Sequence, residues 1–204
     1  MGFLKRLSTE QIVFIVIGFV TIFAVSFWLY KETNKPQPGV MFEDLGRTHV
    51  PVGTQTYYNS NPPTSGPHYE VWTRAGVLDA PADDRFLLHS LEHGYIIMSY
   101  NCDLANPLVS QVNESSNSAK MATDSATLSE GFRSQDCTSL KDNLARVFDE
   151  KGKRKLIVVP RMDLNVPIVL TAWTRMEKLT MFDEEKIKSF IDAYRDQGPE
   201  RTME

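Results

Sequence analysis

Residues Ile12 to Tyr30 form a run of 19 positions without a charge, and no other feature limits this 204-residue chain so strongly. Only Gly18, Thr21 and Ser26 interrupt its apolar character. A bilayer core about 30 Å thick takes about 20 helical residues, so the run is long enough to cross once. A helix apolar on every side has no polar face to give to water, which disfavours a place on the surface of a soluble domain. The run is longer than the core of a signal peptide, usually about 7–15 residues. Phe27, Trp28, Leu29 and Tyr30 at its end are too bulky for a signal-peptide cleavage site. The expectation is an uncleaved transmembrane signal anchor over 12–30, seated in the lipid bilayer with Trp28 and Tyr30 at the interface. Lys5 and Arg6 precede it and orient residues 1–11 as a cytoplasmic tail. The rest of the chain is then extracytoplasmic, and the protein a single-pass component of the cell membrane. Pro36 and Pro38 make residues 31–42 a stiff linker.

The remaining stretch, over 43–200, is long enough for one hydrophobic core. With 42% hydrophobic and 24% charged residues, the chain is neither disordered nor multi-span. Setting aside Lys5, Arg6 and Glu10 leaves 20 basic and 25 acidic residues. That balance argues against nucleic acid as a partner, because phosphate binding needs a clustered basic face. The Lys151–Lys155 run is one basic turn, read as a solvated connector.

Hydrophobic spacing predicts the elements. Asp83 or Asp84 caps a short helix from Arg85 to His93, and Gly94 stops it. Tyr95–Tyr100 reads as a buried strand. Residues 103–137 are polar and read as a surface insertion. Ser139 is an N-cap candidate for a helix whose stripe is Leu140, Leu144, Val147 and Phe148. Leu156–Val159 and Ile168–Trp173 are short strands, and Asp183 caps a last helix that ends at Gly198-Pro199. The order β-α-β-β-α predicts an α+β domain: a small mixed sheet with two or three packed helices, arranged on one face.

Cys102 and Cys137 bracket the polar stretch. Outside the cytoplasm a disulfide is the favoured state of such a pair, and closing the loop contributes about 3–4 kcal/mol in the chain-entropy account. Free thiols and metal ligation are the alternatives. Asn113-Glu114-Ser115 is a glycosylation acceptor only in a eukaryotic secretory pathway.

The chemistry concentrates in four histidines, His49, His68, His89 and His93, which fall within 45 residues and leave the last 111 without one. His89 and His93 stand four apart, on one face of a helix and about 6 Å apart along its axis, a spacing suited to gripping one metal ion. His68 follows the turn Ser65-Gly66-Pro67, and His49 precedes Pro51. Taken singly, each has a structural explanation: His93 in the last helical turn gains about 0.3–1 kcal/mol as a cation, and His49 and His68 can bond loop carbonyls. Taken together they predict a site for one transition-metal ion, copper or zinc. Met98 is a candidate soft axial ligand, although a methionine in that strand is more often core. Tyr57, Tyr58, Tyr69 and Trp72 are candidates to wall a pocket or to anchor packing.

His89-Ser90-Leu91-Glu92-His93 also fits H-x-x-E-H, in which Glu92 would be the catalytic general base of a metal-dependent hydrolase. Such enzymes use a distant acidic third ligand, for which Glu177 is a nominee. In the other reading Glu92 orients an imidazole. Ser65 near His68 lacks an orienting acid and an oxyanion hole, so a serine hydrolase is not indicated.

Four strings carry a family resemblance: Tyr58–His68 (YNSNPPTSGPH), Leu88–Gly94 (LHSLEHG), Pro167–Trp173 (PIVLTAW) and Tyr194–Glu200 (YRDQGPE). They resemble domain-of-unknown-function family 3105 over about Gly46 to Glu200. The resemblance implies a prokaryotic envelope protein with one N-terminal span before the domain. It implies no reaction. Three readings remain: metal handling at the cell surface, a metal-dependent hydrolase, and a non-enzymatic envelope interaction domain.

Overall fold

The computed structural model describes residues 8–33, 36–104 and 125–202. They form two compact units, Met1–Gln37 and Pro38–Glu204. The first is a single helix, α1, over Thr9–Thr33. At 1.5 Å per residue its 25 residues reach about 37 Å, long and apolar enough to cross a membrane, and none of its apolar window is buried among the described residues.

The second unit is α+β. Its elements are β1 (Val40–Met41), β2 (Gly76–Val77), α2 (Asp84–Glu92), β3 (Ile96–Tyr100), α3 (Ser125–Glu150), β4 (Leu156–Pro160), β5 (Ile168–Ala172), β6 (Arg175–Leu179) and α4 (Glu184–Tyr194). The six strands make one mixed sheet in the order β1-β6-β5-β3-β4-β2. β3 runs parallel to β4, which requires a crossover, and α3 lies on it. β5 is antiparallel to both β3 and β6.

The central strands are apolar at nearly every position because both of their faces are covered. Ile96, Met98, Leu156, Val158, Ile168 and Leu170 point to the side where Leu144 and Val147 of α3 and Ile187, Phe190 and Ile191 of α4 pack. Ile97, Ile157 and Val159 point to the other side and meet Leu87, Leu88 and Leu91 of α2. The two helices of the expected β-α-β-β-α order, α3 and α4, therefore share one face. The short α2 occupies the second face, and it brings the histidine segment with it.

Asp83 is the N-cap of α2, its carboxylate accepting from the Arg85 amide, and Gly94 follows the helix at φ +83°. Asp183 caps α4 in the same way through the Lys186 amide. The helix expected from Ser139 starts at Ser125, so Ser139 lies inside it. Residues 105–124 of the polar insertion, with the Asn113 acceptor, lie outside the described residues. Cys102 and Cys137 are joined in a disulfide that ties the end of β3 to α3. β6 was not expected. Its sequence Arg-Met-Glu-Lys-Leu breaks strict alternation at Glu177-Lys178, and only Met176 and Leu179, three apart, are buried.

Leu144 has no exposed surface and sits where α3 meets the sheet. Leu144→Ala is expected to lower unfolding free energy by about 2–5 kcal/mol, measured by urea titration, because a large aliphatic group leaves a cavity.

Candidate metal centre

Three separate stretches converge on the side of α2 that the apolar core leaves free. The first two are residues 44–50 and 62–69. Val50 N–H donates to the His68 carbonyl (2.8 Å) and His68 N–H to the Thr48 carbonyl (3.0 Å), an isolated parallel bridge that sets His49 beside His68. The turn before His68 is fixed from within. Gly66 takes φ +121°, and an added Cβ would press on Tyr58 and Leu45 at 3.2–3.3 Å. Tyr58 donates its hydroxyl to the Pro67 carbonyl (2.7 Å), and Ser65 Oγ accepts from the Leu45 amide (3.0 Å).

The third stretch is α2 itself, which divides its residues by face. Leu88 and Leu91 enter the core. Ser90 Oγ donates to the Thr73 carbonyl (2.7 Å) and accepts from the Thr73 amide (3.1 Å), which holds the Trp72 loop against the helix. His89, Glu92 and His93, at i, i+3 and i+4, share the remaining face. All three are buried, as is His68, whereas the His49 side chain keeps 44% of its surface exposed.

The protonation of two rings follows from their neighbours. His68 Nδ1 lies 2.8 Å from the Gly66 carbonyl, and His89 Nδ1 lies 2.7 Å from the Tyr69 carbonyl. A carbonyl only accepts, so both Nδ1 atoms carry protons. In the neutral rings both Nε2 atoms therefore present lone pairs. Burial, followed by the neighbouring histidines, pushes the His89 pKa below the ordinary histidine value and favours its neutral form.

Those lone pairs meet other donors. The ligating atoms of His49, His68 and His89 lie within 4.8 Å of one another, and so do those of His89, His93 and Glu200. His89 Nε2 is 3.0 Å from His93 Nε2. Glu92 Oε2 is 2.9 Å from His68 Nε2 and 3.7 Å from His49 Nε2, while its Oε1 is 3.6 Å from the Arg47 guanidinium. All four histidines are thus gathered in one region, in two overlapping groups that share His89. Trp72 packs its ring on His93 (centroids 4.8 Å) and His89 (5.6 Å), and its buried indole N–H has no hydrogen-bond partner among the described residues.

Other expected residues fall elsewhere. Met98 is buried among the α3 and α4 side chains, on the opposite face of the sheet from α2, and is no axial ligand. Glu177 stands on β6 opposite Leu170 and belongs to neither histidine group, and burial raises its pKa. Tyr57 is exposed, and Tyr69 packs on Phe86, the packing role that was its alternative.

Glu200 was missed by the sequence reading. It arrives on a C-terminal strap bound across the end of α2. Asp196 N–H donates to the Gly94 carbonyl (2.9 Å) and Glu200 N–H to the Glu92 carbonyl (3.0 Å). Gly198 passes so close that a Cβ there would lie 2.2 Å from the Glu92 carbonyl oxygen. The strap sets Glu200 Oε2 3.5 Å from His93 Nε2. Buried Lys155 locks it from below, donating to the His93 carbonyl (2.8 Å) and to the Thr202 carbonyl (2.7 Å). The sequence carried two signals there, the glycine in Asp-Gln-Gly-Pro-Glu, read as a helix stop, and the family string Tyr194–Glu200, which was given no ligand role.

Fold and site together define a domain of mixed sheet and helices, carrying a buried histidine–carboxylate cluster, in a chain that begins with one apolar helix. The chain belongs to the family described as protein of unknown function (DUF3105), whose model matches residues 49–204. No curated protein and no solved structure matches it. The matched span holds every histidine, Glu92 and Glu200.

Asp196 anchors the strap. Arg154 binds both of its carboxylate oxygens and Lys155 lies 3.3 Å away, and with Arg154 as the main cause these hold its pKa at about 2. The folded value lies below the ordinary 3.8, so the stabilisation is present above about pH 4 and is lost as pH falls through about 2. The carboxylate is partly exposed and screened, which limits the pair to about 1 kcal/mol. Asp196→Asn, which also tolerates the φ of +66°, is expected to be less stable than wild type by about that amount at pH 7 and equal to it at pH 2. Urea midpoints at the two pH values measure the difference.

Proposed function

We propose that this chain is a membrane-anchored, extracytoplasmic protein that binds a transition-metal ion at the histidine cluster and serves in metal handling. The observation that carries the reading is the pair of Nδ1–H groups of His68 and His89, each bound by a backbone carbonyl. Ligating histidines show this arrangement because it fixes the tautomer, aims Nε2 at the metal and makes it a better donor. Neither bond is needed to fill the interior, since an apolar residue would bury more favourably than an imidazole.

The ion is held by His68, His89 and His93, with His49 as fourth ligand or as an outer partner. The donors are imidazole nitrogen and carboxylate oxygen, a set that suits zinc or copper(II). Soft sulfur is not offered, because Met98 faces away and the cysteines are bridged. The half-exposed His49 gives the cluster a rim at the surface, where an ion can be taken up and released. The apolar helix and the disulfide support anchoring and an oxidising compartment.

The full chain, purified in detergent, stripped with chelator and re-equilibrated with zinc or copper(II), is expected to retain metal by elemental analysis and to gain thermal stability. At a free metal concentration 100 times Kd the gain is about 2.7 kcal/mol. The double variant His68→Gln/His89→Gln is expected to abolish both effects. Metal-free protein with an unchanged melting temperature would remove the reading.

A hydrolytic use of the same centre is the second reading, favoured by the Glu92 carboxylate at 2.9 Å from His68 Nε2. There Glu92 would serve as general base toward a water that the bound ion would make more acidic. Glu92→Gln would then keep the metal and lose metal-dependent cleavage across a panel of peptide and ester substrates. No cleavage by the wild-type chain on that panel ends this second reading and leaves the first.

A further inference from the structure

We infer that the cluster is built for two metal ions rather than one, with His49, His68 and Glu92 holding the first and His89, His93 and Glu200 the second. This rests on the metal-binding reading above and goes beyond it in ion number and in the roles of both glutamates.

The argument starts from donor count. The region offers six donors: four imidazole nitrogens and the carboxylates of Glu92 and Glu200. A closed tetrahedral site uses four. His89 Nε2 carries one lone pair, yet it belongs to both groups of convergent donors. Given to the group of His93, its partner at 3.0 Å on the same helix face, it leaves the other group with His49 and His68 alone. Glu92 fills the vacated place, since its Oε2 lies 2.9 Å from His68 Nε2 and 3.7 Å from His49 Nε2. Glu200 completes the second group at 3.5 Å from His93 Nε2.

Each group also contains one close contact that asks for a positive centre. His68 Nδ1 is committed to the Gly66 carbonyl, so in the neutral ring a nitrogen lone pair faces a carboxylate oxygen at 2.9 Å. His89 Nδ1 is committed to the Tyr69 carbonyl, so its Nε2 lone pair faces a second imidazole nitrogen at 3.0 Å. In the ion-free protein a proton on His68 Nε2 or on His93 Nε2 meets each contact, and an ion that displaces it takes both atoms of the pair as ligands. The pairs occupy different places, so one ion does not serve both.

Charge and spacing agree with this division. Each dication receives two neutral imidazoles and one carboxylate. Arg47, 3.6 Å from Glu92 Oε1, is half-exposed and free to swing into solvent when an ion binds. The donor atom of His89 lies within 4.8 Å of those of His49 and His68, so the two donor sets are neighbours. The ligand class is a divalent first-row transition ion in both positions.

The test is stoichiometry of the full chain in detergent, stripped and then equilibrated with zinc alone. Wild type is expected to hold two zinc ions per chain by elemental analysis, and Glu200→Gln one. Glu200 is on the rim, so its replacement leaves the interior intact. His49→Gln, also on the rim, is expected to drop the count to one from the other side, and the double variant to hold none. Loaded with copper(II), wild type is expected to give a half-field paramagnetic resonance signal from coupled ions, and Glu200→Gln to lack it. One ion in wild type, unchanged in Glu200→Gln, overturns the two-ion centre and leaves the single-ion reading standing. No ion in wild type overturns both.

Discussion

Two backbone carbonyls, those of Gly66 and Tyr69, decide which way the buried imidazoles face, and the chemistry of the domain depends on that choice. Each takes the Nδ1 proton of a histidine and leaves Nε2 as a lone pair directed inward. A histidine free to rotate or to exchange tautomers would be a poor ligand, because ordering it would offset part of the binding energy. Here the ordering is done by the fold. Residues 64–69 run where their carbonyls meet the rings because Gly66 adopts a conformation other residues resist, and because Tyr58 and Ser65 pin the turn on either side.

The same logic extends to what surrounds the cluster. Burying several titratable side chains together is unfavourable unless their polar atoms are satisfied or a cation joins them. The domain meets that cost with a large apolar sheet. Its two faces are packed independently, one by α3 and α4 and the other by α2. α2 can then give one side to the core and the other to polar groups. The C-terminal strap and Lys155 close the end of α2 with hydrogen bonds to backbone carbonyls, and they deliver a second carboxylate to a helix end that already carries Glu92.

Much of this was legible residue by residue. The apolar run, the caps Asp83 and Asp183, the stop at Gly94 and the strands β3, β4 and β5 all come from local patterns, because each depends on neighbours a few positions away. The histidine spacing on α2 was equally visible. β6 was missed because its two buried residues, Met176 and Leu179, stand three apart and so lack the alternation that announces a strand. α3 starts before the stripe that announced it, since its first turns carry few apolar residues. The side of the sheet that α2 covers was not legible, because amphipathicity says that a helix has a buried face and does not say which layer receives it.

By itself the sequence determined that one segment is apolar enough to cross a membrane, that the remainder is an α+β domain, and that His89, Glu92 and His93 share one helical face. These are consequences of local spacing, and local spacing survives in the unfolded chain. Only the tertiary structure decided that His49 and His68 join that face, that Met98 and Glu177 do not, and that Glu200 arrives from the far end of the chain. Those outcomes depend on how distant segments pack and which backbone carbonyls they present, and no spacing along the chain encodes that.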